Sequence, residues 1–255
     1  PAEVAQASAT PTPNKKQGRQ PQPARGRGGR AVELPTVKAY NGFKGAAEKA
    51  GTEFKKAEPE QKIDLGGGAI LTVLAPQPPF FTREQIASSR SGNESNANSI
   101  VMRLDYGEFS MLLTGDAEAQ TEDRLVNKEL ELEVDVLKVA HHGSKYATSE
   151  SFLRRVKPKA AVISMSEFNR YSHPHQDVLN RLKAAGVSEL YRTDFQGEIE
   201  IKTTGRAGDG KLYEIKAAKE TKSDLWTGRE GEKNDSSSSG FIAYGDYGPP
   251  PRRRK

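Results

Sequence analysis

Between Gly66 and Ala217 the chain alternates short apolar runs with amphipathic stretches, and this alternation restricts it to one fold class. "GGGAILTVLAP" (66–76) is a glycine turn entering a strand, and "NSIVMRLDYGEFSMLLTGD" reads as two strands joined by a hairpin-like turn at Asp105–Glu108. "AEAQTEDRLVNKELEL" has helical spacing, "VDVLKVA" is a strand, "SESFLRRVK" a short helix and "AAVISMS" another strand. "HPHQDVLNRLKAAGV" predicts a helix ending at Gly186, and "ELYRT", "GEIEIKTT" and "KLYEIKA" close the series as strands. Upstream, the spacing predicts a helix over 36–50, and "QPPFFTREQIASSRSGNESNA" reads as a polar loop. Strands and helices alternating in this way build an α/β layered fold, with helices covering a sheet.

Composition sets the limits of that fold. Residues 1–35 consist largely of Pro, Ala, Gln, Gly and Arg, and 218–255 are rich in Gly, Ser, Lys and Pro. Neither end can bury enough apolar surface to offset the entropy of ordering it, so both are expected to be disordered, flanking one domain at 36–217. The net charge of +5 belongs to the ends. Residues 1–58 carry eleven Lys and Arg against five acids, and "RRRK" ends the chain, which leaves 24 basic and 29 acidic residues for 59–251. An RG-rich arm suits electrostatic binding of nucleic acid, and it equally suits a solvated linker. No segment approaches the ~20 apolar residues of a membrane span. The absence of cysteine excludes disulfides, thiolate ligands and a cysteine nucleophile.

The polar residues with catalytic potential stand where strands run out. "SMLLTGD" is apolar until Asp116, "VDVLKVA" until His141 and His142, and "AAVISMS" precedes a loop carrying His173 and His175. These four are all the histidines of the chain. Ligand sites gather at strand ends in layered α/β proteins, and imidazoles with a carboxylate form a zinc-type donor set. Neighbours in an extended segment face opposite ways, so only one of His141 and His142 is expected to bind a given ion. Pro174 holds His173 toward extended backbone, which lets the rings of His173 and His175 share a side. Each residue also has a plainer role. Asp116 suits the N-cap of the following helix, each histidine suits a hydrogen-bonded surface position, and Ser144 suits a turn. The reading of a site rests on their conjunction.

"NANSIVMRLDYGEFSMLLTGDAEAQTEDRL", "VDVLKVAHHGSKYATSESFLRRVKPKAAVIS", "NRYSHPHQDVLNRLKAAGV" and "LYRTDFQGEIEI" together resemble the metallo-β-lactamase-fold domain of ComEC-type DNA-uptake proteins and their free-standing relatives. The resemblance runs from about 62 to 201 and rests on "LLTGD", "HHGS" and "HPH" in that order. It implies the carboxy-terminal part of a four-layer αββα sandwich with two divalent ions, zinc or alternatively manganese, at one sheet edge. Asp116 would bridge the ions. His141 or His142 would supply one late ligand and His173 another, and His175 would support the metal or the substrate. Asp116 and His142 are the implied catalytic residues. Ser144, Asn169 and Tyr171 would line the substrate edge. Asn98 stands where many relatives carry a metal histidine.

The resemblance also exposes a gap. The family's early histidine- and aspartate-rich motif has no counterpart before His141, which is the pattern expected of a fragment cut after that motif. A fragment of that kind should expose a sheet face normally buried. The implied activity is metal-dependent hydrolysis of phosphodiesters by a longer, secreted or extracytoplasmic parent, with this chain alone inactive. The competing expectation is a noncatalytic module that binds nucleic acid or an anionic surface through its basic ends.

Overall fold

In the computed structural model the described residues are 35–87, 94–169, 171–208 and 210–229. The RG-rich arm and the basic carboxy terminus lie outside them. Strands β1 (Lys62–Gly66), β2 (Ala69–Ala75), β3 (Val101–Tyr106) and β4 (Phe109–Leu113) pair antiparallel in chain order. Strands β5 (Val136–Lys138), β6 (Ala160–Ile163) and β7 (Glu189–Arg192) extend the sheet beyond β4 in parallel, giving seven strands. Strand β6 is a continuous apolar run with all four residues buried, and β5 is buried at Val136 and Leu137. Runs of this kind suit a sheet covered on both faces.

The parallel strands are linked by α4 (Ala119–Asn127), α5 (Glu150–Val156) and α6 (Gln176–Ala184). Right-handed crossovers along a sheet that advances in one direction place these helices on the same face. Leu125, Phe152, Leu153, Val178, Leu179 and Leu182 from the helices meet Leu112, Leu137, Ala161 and Ile163 from the strands in the main core. Ser149 caps α5, its hydroxyl accepting the N–H of Phe152.

The opposite face departs from the expectation of an uncovered sheet. Strands β8 (Ile199–Gly208) and β9 (Lys211–Ala217) form a hairpin packed against β4–β7, where Ile199, Ile201, Leu212, Tyr213 and Ile215 cover Phe109, Val136, Ala160 and Val162. The alternating apolar residues of "GEIEIKTT" and "KLYEIKA" supply that cover. The hairpin is tied to the β3–β4 turn where Glu108 N–H donates to Gly205 O (2.7 Å) and a side chain on Gly107 would strike the same carbonyl. Beyond it a smaller apolar cluster of Leu71, Val73 and Met102 carries partly buried Ile63 and Ile100.

Local differences from the sequence reading are few. Helix α1 (Pro35–Lys49) falls where spacing placed it, whereas β1, α2 (Arg83–Ala87), α3 (Glu94–Ala97) and α7 (Thr193–Gln196) are short elements without a periodic signal. Residues 218–229, assigned to a disordered tail by composition, are anchored to the domain by hydrogen bonds from Arg192, Asp194 and Gln176. Among the described residues no helix is long and apolar enough to cross a membrane.

Candidate functional site

Because β4, β5 and β6 are parallel neighbours, their carboxy ends open onto one sheet edge, and cross-links hold those ends together. Thr114 Oγ1 donates to Lys138 O (2.7 Å), Val139 N to Val162 O (2.9 Å) and His141 N to Gly115 O (3.1 Å). Asp116 follows β4, His141 and His142 follow β5, and the loop after β6 leads to His173 and His175.

His141 and His142 are not extended. They occupy a 3₁₀ turn (Ala140–Gly143) with left-handed backbones, φ 45° and 54°, closed by Ser144 N–H donating to His141 O (2.9 Å). Left-handed conformations are uncommon outside glycine, although histidine is enriched among the exceptions, and they recur at functional sites. The turn still separates the two rings, whose centroids lie 6.3 Å apart.

The two histidines have different partners. His142 Nδ1 faces Ser164 O at 2.5 Å. A carbonyl only accepts, so Nδ1 carries a proton and Nε2 is the ring nitrogen left to meet another group. That Nε2 lies 3.5 Å from Asp116 Oδ1. His141 Nδ1 lies 3.2 Å from Oε1 of Glu118, a carboxylate only 1% exposed, and Asn96 Nδ2 approaches the same oxygen at 3.3 Å. His173 is buried beside them, its ring 5.5 Å from that of His141 and 5.0 Å from that of His175. Burial, and then its three histidine neighbours, push its pKa down to about 4, so it stays neutral near pH 7.

The remaining candidates divide. Tyr171 is exposed and stacks on His173 with ring centroids 5.8 Å apart. His175 Nδ1 accepts the Lys145 N–H (3.3 Å). Asn169 grips the backbone of His173, accepting its N–H (2.8 Å) and donating to its carbonyl (2.9 Å). Ser144 is buried, and its hydroxyl accepts the Tyr146 N–H, a turn role. Asn98 makes a pair of hydrogen bonds with the Phe81 backbone and a third to Glu94 O, so it does not join the cluster. Asp116 is not the N-cap of α4, since Glu118 holds that position without a side-chain cap bond.

The sequence reading omitted Asn96, Glu118 and Lys138. Burial lowers the pKa of Lys138, and the Asp116 carboxylate partly offsets this. Nothing local marked them, because Glu118 is one acid in an acidic stretch and Lys138 ends an apolar strand.

The donor chemistry suits a divalent ion up to a point. Asp116 and His142 face one another, with His142 oriented through Nδ1 by the Ser164 carbonyl, yet among the described residues no three His, Cys, Asp or Glu side chains converge closely enough to hold one. The residues present do not complete a metal site.

Comparison with known proteins places this edge in context. Residues 94–167 match the model of the metallo-beta-lactamase superfamily. ComE operon protein 3 of Bacillus subtilis is 42% identical over 118 residues, which are 46% of this chain and 15% of the relative. Recombination protein 2 of Haemophilus influenzae is 46% identical over 109 residues, 42% of this chain and 13% of its own length. Competence protein ComA of Neisseria gonorrhoeae is 38% identical over 122 residues, 48% and 17% respectively. The chain thus spans less than a fifth of each relative. A crystal structure from Parabacteroides distasonis aligns at a TM-score of 0.36 with 12% identity, over 59% of this chain and 61% of its own, a likeness too slight to argue from. Residues 94–167 of this α/β chain are thus similar to the metallo-beta-lactamase superfamily, and part of the chain is similar to competence proteins.

Proposed function

We propose that this chain contributes the late half of the catalytic edge of a divalent-metal-dependent hydrolase acting on phosphodiesters, in a protein related to DNA uptake. The observation that carries the reading is the approach of His142 Nε2 to Asp116 Oδ1, with the imidazole oriented through Nδ1 by the Ser164 carbonyl. Asp116 and His142 are the assigned ligands and His173 the adjacent neutral donor, and the contact with Glu118 favours a supporting role for His141. Tyr171 and His175 face the substrate side. The donors still needed come from outside the described residues, so no catalytic step is assigned to the chain by itself. Zinc is the expected ion on imidazole and carboxylate preference, with manganese the alternative. A recombination protein and a competence protein among the relatives support DNA involvement, and the phosphodiester substrate belongs to the proposal.

The test is metal stoichiometry. The chain is stripped, dialysed against zinc and analysed beside Asp116→Ala and His142→Ala, then assayed on a chromogenic phosphodiester with and without chelator. Weak binding lost in both variants, with hydrolysis negligible in the isolated chain, is the expected result. Zinc retained equally by Asp116→Ala would refute the assignment. Binding of DNA that weakens steeply with salt and ignores chelator would instead favour the noncatalytic reading through the basic ends.

A further inference from the structure

The loop that carries Tyr171, His173 and His175 is held mainly from outside itself. It leaves β6 at Ser164 and enters α6 at Gln176. Near its start, Thr193 Oγ1 bonds both the N–H and the carbonyl of Met165 (2.8 Å each). His175 N donates to Gly143 O (2.9 Å) and its Nδ1 accepts the Lys145 N–H (3.3 Å), and further outside anchors come from one short segment more than fifty residues beyond His173. Arg229 Nη1 donates to Glu167 O (2.8 Å) and Arg229 N to Pro174 O (3.1 Å). Gly228 N donates to Gln176 Oε1 (2.8 Å), and Gln176 Nε2 donates to Trp226 O (3.0 Å).

That segment is itself fixed to the core. Arg192, fully buried, donates through Nη1 to Leu225 O (3.0 Å) and Thr227 O (2.6 Å), and Asp194 accepts from both Arg192 and Arg229. Contact with the loop is so close that a Cβ on Gly228 would lie 2.7 Å from Gln176 N and 3.1 Å from Pro174 O. Only glycine lets the two backbones approach this far.

We propose that residues 224–229 form a strap that sets the position of the His173–Pro174–His175 turn, with Gly228 and Arg229 as positioning residues for the site. The importance of that role rests on the functional reading above, but its geometry does not. The strap governs His173 and His175, whereas His142 answers to Ser164 and hence to Thr193. Two groups of histidines are therefore placed by two separate anchors. Nothing in the polar sequence around Gly228 announces such a role.

With four histidines in all, the ring Cε1–H resonances of the full chain form a four-signal NMR spectrum. In Gly228→Ala and in Arg229→Ala the His173 and His175 signals should move. Their backbone amides, which donate to Asn169 Oδ1 and Gly143 O, should exchange with solvent roughly tenfold faster, while His142 keeps its position. In Thr193→Val the His142 signal should move instead. The proposal is overturned by a folded strap variant whose His173 and His175 signals and exchange rates match the unmodified chain. It is equally overturned if His142 shifts as much as they do, the pattern of general loosening. If Gly228→Ala does not fold, Arg229→Ala decides alone, since it removes atoms and forces no clash. Repeating the strap variants in an Asp116→Ala background separates the two readings. Their effect on His173 and His175 should persist there even if the metal assignment fails.

Discussion

Removing the Asp194 carboxylate should destabilise the protein by about 3 kcal/mol, and the network around it sets that figure. Asp194 is fully buried and accepts three charge-assisted bonds, from Arg192 Nε (3.1 Å), Arg192 Nη2 (2.8 Å) and Arg229 Nε (2.8 Å). Asp194→Ala strands the Arg192 guanidinium in the interior, and breaking one side of a buried pair costs roughly 3–5 kcal/mol. The lower end applies because Arg192 keeps two carbonyls on Nη1 and the face of Phe195, 4.4 Å from its carbon. Asp194→Asn keeps one oxygen acceptor but turns an amide donor toward guanidinium donors, so about 2 kcal/mol is expected. In urea, with a slope of about 2 kcal/mol per molar, the midpoints should fall by about 1.5 M and about 1 M with the slope unchanged. Arg192→Met combined with Asp194→Leu should cost less than the sum of the two single changes, because together they remove the buried charges of both residues. A drop below about 0.5 M for Asp194→Ala would refute the reasoning, because the strap would then be held by something other than this carboxylate.

Three further outcomes test other joints of the fold. Gly143→Ala forces a side chain into left-handed backbone (φ 79°) and against Pro174 Cβ at 2.6 Å, so it should lose roughly 2–3 kcal/mol in a urea melt. An unchanged midpoint would mean that the two histidine turns are not packed as described. Gly107→Ala points a methyl into the Gly205 carbonyl, and hydrogen exchange should accelerate selectively in β8 and β9. Protection retained there would show the hairpin to be anchored elsewhere. Glu122 is buried and accepts N–H bonds from Thr148 and Ser149, and burial raises its pKa above that of the unfolded chain. The folded state therefore holds the proton to higher pH, so this group's stabilisation is complete below the unfolded value and lost as pH rises through the raised one. The penalty of Glu122→Gln should accordingly shrink as pH rises from the ordinary carboxyl range through the raised pKa, and a penalty independent of pH would contradict the assigned direction.

The α/β class was legible because a central parallel strand buried on both faces writes itself as a mostly apolar run, as in "VDVLKVA" and "AAVISMS". Asp116, His141 and His173 stood out as candidates because those runs end at them or at the loop that carries them. What escaped was set by distant partners. The alternation argument for His141 and His142 assumed extended backbone, but Gly115 O and Ser144 N–H draw the pair into a left-handed turn. Asn98 has the right position for a ligand, yet Phe81 claims its amide from seventeen residues away. Strand β1 is only five residues long and mostly exposed, so it leaves no period to detect.

The strap shows why composition misjudged residues 218–229. Reasoning from apolar content asks whether a segment can bury enough of its own surface to become ordered. Residues 224–229 offer only Leu225 and Trp226 to the main core, and by that test they fail. Their order is supplied from the other side, by an arginine and an aspartate on β7 and α7 whose buried charges need the strap's carbonyls and the Arg229 guanidinium as much as the strap needs them. Those charges stand in "YRTDFQG", which reads as a polar strand end. A buried Arg–Asp pair with spare donors implies that some other backbone completes it. The sequence therefore names the atoms of the histidine cluster, whereas the distances between them depend on a contact spanning fifty residues.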